Sequence, residues 1–263
     1  MKVRAKKRLG QHFLRDEGIA GRIVDSLCGE LTDNRSADSV SVLEVGPGMG
    51  VLTKYLLKVP GIDFKAVELD PESVEYLIST YPEIAPNLYE GDFLKMDLDK
   101  AFPGNLAVIG NFPYNISSQI FFRILDHKDK IPLSVGMVQK EVADRLASPP
   151  GNKSYGILSV LLQAWYDIEY LFTVEPWVFT PPPKVRSAVI RLRRNGRQSL
   201  GCDEVLFRKV VKTAFNMRRK TIRNSLKPLS SEYSIGDSPL LDMRPEQLSV
   251  EMFVELANSL KPI

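Results

Sequence analysis

The most informative segment of the sequence is Val42-Leu43-Glu44-Val45-Gly46-Pro47-Gly48-Met49-Gly50, in which an apolar strand passes into alternating glycines. A helical pattern follows directly, over 51–59. Glycines at a strand-to-helix turn let the backbone approach a ligand closely and aim the helix N-terminus toward it. The run therefore predicts a ligand-binding turn of the kind found in doubly wound α/β sheets.

Strand and helix patterns alternate on both sides of this turn. Short apolar runs predict strands at 40–45, 64–69, 88–89, 106–110 and 133–139. Periodic segments predict helices at 19–31, 51–59, 71–81, 117–125 and 140–146. This alternation indicates an α/β fold with a parallel, doubly wound sheet and right-handed crossovers. After a helix at 154–165, two strand-like segments at 167–174 and 187–193 fit antiparallel additions at the sheet edge.

The end of the chain has the pattern of a second, smaller domain. A polar linker at 195–201 is followed by predicted helices at 203–216, 218–226 and 245–260. A length of 263 residues fits one large and one small domain, since domains average roughly 100–200 residues. We predict a large domain over 1–197 and a small all-α domain over 198–263.

The composition excludes several classes of protein. Hydrophobic residues make up 44% and charged residues 25%, as in soluble globular proteins. Two cysteines and two histidines are too few for a disulfide framework or a thiolate zinc site, and they leave little for a Ser-His hydrolase. Neither a secretory signal nor an apolar run of membrane-spanning length is present. We therefore expect no metal, no membrane association and a cytoplasmic location.

The net charge of +3 hides an uneven distribution of charge. Three stretches without acidic residues, at 1–8, 178–201 and 205–231, hold 19 of the 35 Lys and Arg residues. One such stretch is often only a solvated face, but three favour a nucleic-acid partner, because each neutralised phosphate releases counterions. The residues expected to contact RNA are Lys6, Lys7, Arg8, Lys184, Arg186, Arg218, Arg219, Lys220 and Arg223.

Carboxylates mark the ends of the first three predicted strands of the sheet. Glu44 precedes the first glycine, Glu68 ends the next strand, and Asp92 follows the third with Phe93 beside it. An acid at the position of Glu68 binds ribose hydroxyls in nucleotide folds. Glu44 suits a cationic, amino-bearing ligand better than a pyrophosphate. The three carboxylates together favour S-adenosylmethionine over a nicotinamide dinucleotide, with Asp92 accepting from the adenine amino group and Phe93 against the ring.

The fourth strand ends in Gly110-Asn111-Phe112-Pro113-Tyr114-Asn115. Asn-x-Pro-Tyr after such a fold resembles the motif of amino-group methyltransferases that act on adenine. An exocyclic amine is a poor nucleophile because its lone pair is delocalised into the ring. The side-chain carbonyl of Asn111 and the Phe112 carbonyl, held by Pro113, can accept its two N–H bonds. Tyr114 would stack on the flipped base, a contact worth about 1–3 kcal/mol.

Further segments extend this resemblance over nearly the whole chain. They lie at 7–14, 44–50, 67–70, 111–118, 179–185 and 215–226. In this order they resemble the bacterial KsgA-type ribosomal RNA adenine N6,N6-dimethyltransferases. The resemblance implies a Rossmann-like S-adenosylmethionine methyltransferase fold. It also implies dimethylation of two adjacent adenines near the 3′ end of small-subunit ribosomal RNA, within the assembling 30S particle. Nothing in the sequence demands more than a monomer.

The resemblance also assigns roles to individual residues. Gly46 and Gly48 would line the methionine end of the cofactor, and Asn111 would meet both the sulfonium and the target amine. The full cofactor set is Gln11, His12, Leu14, Glu44, Gly46, Gly48, Glu68, Leu69, Asp92, Phe93 and Asn111. The catalytic set is Asn111, Phe112, Pro113, Tyr114 and Phe179, with Phe179 stacking on the base opposite Tyr114. Many relatives have asparagine where this chain has His12.

Three other functions stay open at this point. A related enzyme that dimethylates an adenine of large-subunit ribosomal RNA and confers macrolide resistance also carries Asn-x-Pro-Tyr-Asn. The Pro-Pro-Pro-Lys run at 181–184 and the basic residues at 218–220 favour the small-subunit enzyme instead. The chain can also act chiefly as a non-catalytic ribosome-assembly factor. A nicotinamide dehydrogenase is disfavoured by Glu44 and by the lack of an evident acid–base residue for hydride transfer.

Overall fold

The computed structural model describes residues 3–33 and 41–263. Residues 1–2 and 34–40, which include Lys2 and the first residue of the predicted strand 40–45, lie outside the described residues. The chain divides into two compact units, Met1–Ala143 with Ile168–Arg194, and Asp144–Asp167 with Asn195–Ile263. The predicted boundary at 197/198 lies close to the last break between the units, at 194/195. The second unit also takes in Asp144–Asp167, which the sequence analysis assigned to the first domain.

Eleven strands and ten α-helices form the described part of the chain. The strands are β1 (Phe13–Leu14), β2 (Ser41–Val45), β3 (Asp63–Glu68), β4 (Leu88–Glu90), β5 (Leu106–Asn111), β6 (Leu133–Gln139), β7 (Tyr166–Val174), β8 (Phe179–Thr180), β9 (Ser187–Arg194), β10 (Tyr233–Ile235) and β11 (Leu260–Pro262). The helices are α1 (Glu17–Asp33), α2 (Thr53–Leu56), α3 (Pro71–Thr80), α4 (Leu98–Ala101), α5 (Ser117–Asp126), α6 (Lys140–Ala147), α7 (Ile157–Gln163), α8 (Glu204–Asn216), α9 (Ile222–Ser225) and α10 (Val250–Ser259).

A seven-stranded sheet in the order β4-β3-β2-β5-β6-β9-β7 is the centre of the first unit. Strands β4, β3, β2, β5 and β6 are parallel, and β9 pairs antiparallel with β6. This confirms the predicted doubly wound sheet and the antiparallel addition of the segment 187–193. Four successive residues of β2, Val42 to Val45, are buried, as expected for a strand with both faces covered.

The strand order creates a topological switch point between β2 and β5. From β2 the chain moves outward through β3 to β4, and it then returns to place β5 on the other side of β2. Crossovers therefore leave in opposite directions from the carboxyl ends of these two strands. In open α/β sheets this is where a crevice forms and a ligand binds. The glycine run after β2 and the Asn-x-Pro-Tyr run after β5 meet there.

Several elements differ from the predicted ones. Helix α2 covers only Thr53–Leu56 of the predicted 51–59, because its ends tighten into i→i+3 turns, with Lys58 N bonded to Tyr55 O. Strands β1 and β8 were not predicted. They form a two-stranded antiparallel pair, with Phe13 opposite Thr180 and Leu14 opposite Phe179. Each has only two residues, so neither shows an alternating pattern in the sequence.

The second unit is mainly helical. The core of this unit includes Phe253 and Leu256 of α10 and the buried face of α8. That face is formed by Phe207, Val210, Val211 and Ala214. Helix α8 begins where predicted, with the Asp203 side chain accepting from Leu206 N. The predicted helix at 245–260 begins only at Val250, because Ser249 caps its N-terminus. The all-α description was wrong in one respect, since β10 and β11 form a small antiparallel pair in this unit.

Candidate active site

A pocket opens at the switch point of the first unit. It is formed by the turns that follow β2, β3, β4 and β5, together with the segment before β1. All eleven residues predicted for the cofactor line it, together with Phe112, Pro113 and Tyr114. The structure thus brings into one cavity residues that lie as far apart in sequence as Gln11 and Tyr114.

The glycine turn after β2 forms one wall of the pocket. Gly46 N donates to Val67 O at 2.9 Å, which ties the turn to the end of β3. Gly48 has φ +57°, in the left-handed region, and a Cβ there would lie 2.9 Å from Cε1 of Phe13. A side chain at position 48 is therefore opposed both by the backbone conformation and by the ring that crosses the turn.

Glu68 is held rigidly at the end of β3. Its carboxylate accepts from Gly48 N at 2.9 Å and from Asp70 N at 2.8 Å, and only 5% of the residue is exposed. Burial raises the pKa of Glu68, while these backbone donors partly oppose the rise. A carboxylate can accept about four hydrogen bonds, so Glu68 keeps capacity for a ligand hydroxyl.

Glu44 is the most deeply buried acid of the pocket, with 1% of its surface exposed. Thr53 Oγ1 donates to its Oε2 at 2.6 Å. Burial raises the pKa of Glu44 to about 8, and the nearby Glu68 carboxylate acts in the same direction. A buried carboxyl with so perturbed a pKa inside a pocket is typical of a functional site.

The charge of the lining decides which class of ligand fits. Glu44, Glu68 and Asp92 all line the pocket, whereas no Lys or Arg of the described chain does so. A pyrophosphate would meet carboxylates here and find no cation. A ligand with a positive charge and an amino group suits this set, as the sequence analysis predicted.

The far end of the pocket has a mixed apolar and acidic surface. Asp92 Oδ1 accepts from Leu94 N at 2.9 Å, so this residue also shapes its own turn. Phe93 is 3% exposed, and Leu69 is 50% exposed beside it. An apolar face next to a free carboxylate oxygen suits a flat heterocycle that carries an amino group.

The N-terminal arm, residues 3–16, crosses the pocket and is fixed at several points. The Lys6 ammonium lies 2.5 Å from Asp70 Oδ1 and 3.0 Å from Glu72 Oε1. Gln11 Nε2 donates to Asp70 Oδ2 at 3.3 Å. Burial alone would raise the pKa of Asp70, but Lys6 and Gln11 hold it below its usual value. Lys6 was predicted to contact RNA, and in this structure its charge is used at least in part within the fold.

Asn111 is oriented by the arm. Its Nδ2 donates to the His12 carbonyl at 2.9 Å, and since only the amide nitrogen can donate, Oδ1 is the atom left as an acceptor. Neither Asn111 Oδ1 nor the Phe112 carbonyl accepts a hydrogen bond from residues 3–33 or 41–263. Two carbonyl oxygens at the pocket are therefore available to a ligand's N–H groups.

The buried ring of Phe112 fixes the backbone at these two carbonyls. Gly110 and Gly136 are paired across β5 and β6, and a Cβ at Gly136 would lie 2.3 Å from Cε2 of Phe112. The ring fills the space that two side chains would otherwise occupy, and it meets Phe121 edge-on with ring centroids 5.8 Å apart. The role of Phe112 at the site is thus limited to its backbone.

Tyr114 presents a half-buried ring at the same turn. Its hydroxyl lies 2.5 Å from Ser187 Oγ, which holds the ring from the far side. Burial raises the pKa of Tyr114, so the phenol stays neutral at ordinary pH. The ring centroid of His12 lies 5.3 Å away. A neutral, fixed aromatic ring is a suitable stacking surface for a base.

Phe179 does not line the pocket. It is 1% exposed and belongs to the hydrophobic core with Leu14, its partner in the β1–β8 pair. The predicted stacking of Phe179 on a base is therefore not available in this structure, because the β1–β8 pairing turns the ring into the core.

Three residues that hold the site were not predicted from the sequence, namely Thr53, Asp70 and Ser187. Only Asp70 had a signal, as the acid directly before the helix-starting Pro71.

The basic residues predicted for RNA fall into two groups. Lys7, Arg8, Lys184, Arg186, Arg219 and Lys220 are exposed. Arg219 and Lys220 form no ion pair with any residue in the described parts of the chain. In contrast, Arg218 donates to the Lys153 carbonyl, and Arg223 Nε lies 3.3 Å from Asp242 Oδ1. Arg218 and Arg223 are thus used at least in part within the second unit.

No metal site or membrane span emerges from the described residues. No group of three or more His, Cys, Asp or Glu side chains in 3–33 and 41–263 is placed to hold a metal ion. None of the helices formed by these residues combines the length and apolar character needed to cross a membrane.

Comparison with known proteins relates the chain to RNA-modifying enzymes. The family model "Ribosomal RNA adenine dimethylase" matches residues 2–261. Ribosomal RNA small subunit methyltransferase A of Parabacteroides distasonis is 60% identical over 258 residues, which cover 97% of this chain and 93% of that protein. A dimethyladenosine transferase from Plasmodium falciparum has a TM-score of 0.75 at 23% identity, covering 95% of this chain and 99% of that one. The 23S rRNA methyltransferase ErmE has a TM-score of 0.66 at 25% identity, covering 94% and 99%. The fold is thus that of Rossmann-like methyltransferases.

The buried carboxyl of Glu44 makes stability depend on pH. Its pKa of about 8 in the folded state lies above the ordinary value of 4.5, so the folded protein binds more protons between these limits. Stability therefore falls as pH rises from about 4.5 to about 8, by up to about 1.4 kcal/mol per pH unit. We expect Glu44→Gln to remove this pH dependence. The free energy of unfolding of the variant should therefore rise relative to that of the wild type as pH increases. Urea unfolding at pH 5, 6, 7 and 8 measures the difference, and a constant difference across that series would contradict the assignment.

Proposed function

The chain belongs to the ribosomal RNA adenine dimethylase family, and from this we propose that it transfers methyl groups to N6 of two adjacent adenines near the 3′ end of small-subunit ribosomal RNA. One observation carries the proposal. Asn111 and Phe112 are consecutive residues that line an acidic pocket, and neither Asn111 Oδ1 nor the Phe112 carbonyl accepts a hydrogen bond from the described protein. An exocyclic amine has two N–H groups and can donate one to each of these two acceptors.

The pocket supports S-adenosylmethionine as the cofactor. When bound, it supplies an electrophilic methyl group on a sulfonium. The turn at Gly46 and Gly48 leaves room for its methionine end, and Glu68 offers oxygens to the ribose. Asp92 and Phe93 suit the adenine. The absence of Lys and Arg from the described lining, together with the buried Glu44, supports a cationic ligand and opposes a dinucleotide.

The residues of the chain promote transfer by position and polarity. Accepting both N–H bonds of the adenine amine draws its lone pair out of the ring and toward the methyl group. Tyr114, held by Ser187, offers a face for the flipped base. In-line placement of the reacting atoms can contribute roughly 7–11 kcal/mol. The amine loses one proton to solvent after each transfer, so no strong general base is needed.

The small-subunit substrate is favoured over the large-subunit one by similarity. The relative from Parabacteroides distasonis, named for the small subunit, shares 60% of its residues with this chain, against 25% for ErmE. We propose the assembling 30S particle as the substrate, which places the protein in the cytoplasm. We also propose that it acts as a monomer.

We also propose that methyl transfer belongs to the first unit and that exposed basic residues of each unit contact RNA. The second candidate function, a role in ribosome assembly through binding alone, is supported by Arg219 and Lys220. They are exposed and have no ion-pair partner in the described chain. Binding and methylation are compatible in one protein.

The proposed activity is tested with the full chain, labelled S-adenosylmethionine and undermethylated small subunits. We expect N6,N6-dimethyladenosine at two adjacent positions near the 3′ end of the RNA, mapped by mass spectrometry. Large subunits provide the parallel substrate. Label that appears only in large-subunit RNA, or in neither, would refute the proposal.

Asn111→Ala tests the amine acceptor. Loss of Oδ1 leaves one N–H of the target amine without its partner, so we expect transfer to fall at least about 100-fold. Cofactor affinity should stay within about tenfold, because Glu44, Glu68 and Asp92 are untouched and because Lys6 and Gln11 still tie the arm to Asp70 when the bond to His12 is lost. Asn258→Ala, at an exposed amide of the second unit, is the matched control. Single-turnover rates and calorimetric cofactor titration separate the two effects, and full transfer by Asn111→Ala would remove this residue from the mechanism.

Arg219→Gln with Lys220→Gln tests whether the second unit touches RNA. We expect weaker binding of small subunits and a shallower dependence of log affinity on log salt concentration. The slope should fall by up to about 0.9 for each phosphate that is no longer neutralised. Arg223→Gln is the comparison, since this side chain is already paired with Asp242. Equal slopes for the double variant and the wild type would show that residues 219 and 220 do not touch RNA.

A further inference from the structure

A second groove lies beside the active-site pocket in the first unit. It is bounded by the end of β6, the first residues of α6 and the segment 175–186. We call it the Trp177 groove. Its lining includes Trp177, Val185, Lys140, Lys184, Arg186 and Glu175. None of the pocket residues described above lines this groove.

Two large hydrophobic side chains are exposed in the Trp177 groove. Trp177 is 69% exposed and Val185 is 46% exposed, whereas Trp165, the other tryptophan of the chain, is 2% exposed. Exposure of an indole is costly in water, and an exposed apolar patch with a polar rim marks an interaction site. The fold of this unit gives Trp177 no packing role that explains its presence.

The backbone that carries Trp177 is held in place. The Trp177 carbonyl accepts from Arg15 Nη2 at 3.1 Å, and Arg15 N donates to Val178 O at 2.8 Å. Pro176 begins the short 3₁₀ turn in which Trp177 lies. The indole is thus presented to solvent from a fixed base, which limits the entropy that it loses when it binds a partner.

The groove is lined by three basic residues, Lys140, Lys184 and Arg186, and by two acidic ones, Glu141 and Glu175, so its net charge favours an anion next to the indole. Lys184 and Arg186 are both exposed, and Lys140 lines the floor. Arg186 Nη1 lies 4.0 Å from Glu175 Oε1, the outer limit of an ion pair. An exposed aromatic ring beside Lys and Arg is the combination that binds unpaired nucleotides. The ring stacks on the base and the cations take the phosphate.

A residue of the groove is next in sequence to a residue that holds Tyr114 of the pocket. Ser187 directly follows Arg186, and its Oγ lies 2.5 Å from the Tyr114 hydroxyl. Lys140 N donates to the Arg186 carbonyl at 2.9 Å, which fixes the backbone directly before Ser187. Arg186 of the groove is thus one residue from the side chain that holds Tyr114 of the pocket.

We propose that the Trp177 groove binds an unpaired nucleotide of the RNA substrate that flanks the target adenine. Its base stacks on the Trp177 indole and its phosphate lies against Lys184 and Arg186. The assignment rests on the proposed function, because it requires an RNA substrate. It adds a specificity subsite to the methyl-transfer pocket.

The kinetic test compares Trp177→Ala and Trp177→Phe in the full chain. The substrates are undermethylated small subunits and a deproteinised RNA fragment that carries the two adenines. With both, we expect Trp177→Ala to raise KM for RNA about 5- to 100-fold, the equivalent of losing one base–aromatic stack. KM for the cofactor should not change. Trp177→Phe should stay within about threefold of the wild type, because a phenyl ring also stacks. Ile78→Ala, at a 43% exposed residue of α3, is the control.

A binding measurement without catalysis supplies the second test. In a Trp165→Phe background Trp177 is the only tryptophan, so its fluorescence reports the groove. A single-stranded RNA fragment should quench this emission to saturation, and a double-stranded one should not. Lys184→Gln with Arg186→Gln should weaken the quenching and flatten its salt dependence.

The outcomes distinguish this inference from the proposed function. Normal methylation with an unchanged KM in Trp177→Ala overturns the groove assignment and leaves the function standing. A change in KM for intact subunits but not for the RNA fragment would assign the groove to a ribosomal protein, and this outcome also overturns the groove assignment. The assignment is overturned as well if Trp177→Phe loses as much activity as Trp177→Ala. Absence of methylation by the wild-type chain is a failure of the proposed function instead.

Discussion

The hydrogen bond from the Asn111 side-chain amide to the His12 carbonyl, at 2.9 Å, joins the N-terminal arm to the rest of the pocket. It connects the end of β5 to the arm, which Lys6 and Gln11 in turn tie to Asp70 after β3. Because the amide nitrogen is used in this bond, the amide oxygen is left as the acceptor at the pocket. The arm therefore lines the pocket and also orients the Asn111 side chain within it.

The polarity of the pocket follows from the same arrangement. The arm brings Lys6 to the site, but its ammonium is directed at Asp70 and Glu72, so no cation of the described chain enters the lining. Glu44 and Glu68 then remain as buried acids without a cationic partner, and burial raises the pKa of each. A ligand that carries positive charge lowers the cost of this burial, whereas an anionic ligand would increase it. The acidic character of the lining is thus consistent with the use of the Lys6 charge in ion pairs outside the pocket.

Features that depend on neighbours in sequence could be predicted from the sequence. The glycine run after β2, the carboxylates at the strand ends and the Asn-x-Pro-Tyr turn all lie where expected, because strand order and strand ends follow from local pattern and the crossover rule. Features that depend on distant pairing could not be predicted. Phe179 is buried because β8 pairs with β1, a contact between segments 165 residues apart, between Leu14 and Phe179. Arg218 was assigned to RNA from a basic run, but its partner, the Lys153 carbonyl, lies 65 residues away.

Two transfers to one nitrogen place unequal demands on the two carbonyls of the proposed site. The unmodified amine has an N–H for each acceptor, but the singly methylated amine has one, and a methyl group must occupy the place of the other. The Phe112 carbonyl is fixed by the ring seated over Gly110 and Gly136, and the Asn111 amide is fixed by His12. Neither acceptor can turn away, so the second round leaves one of them without its partner. The binding energy missing there must come from interactions outside the pocket, and the proposed stacking and phosphate contacts at the Trp177 groove are placed to supply it.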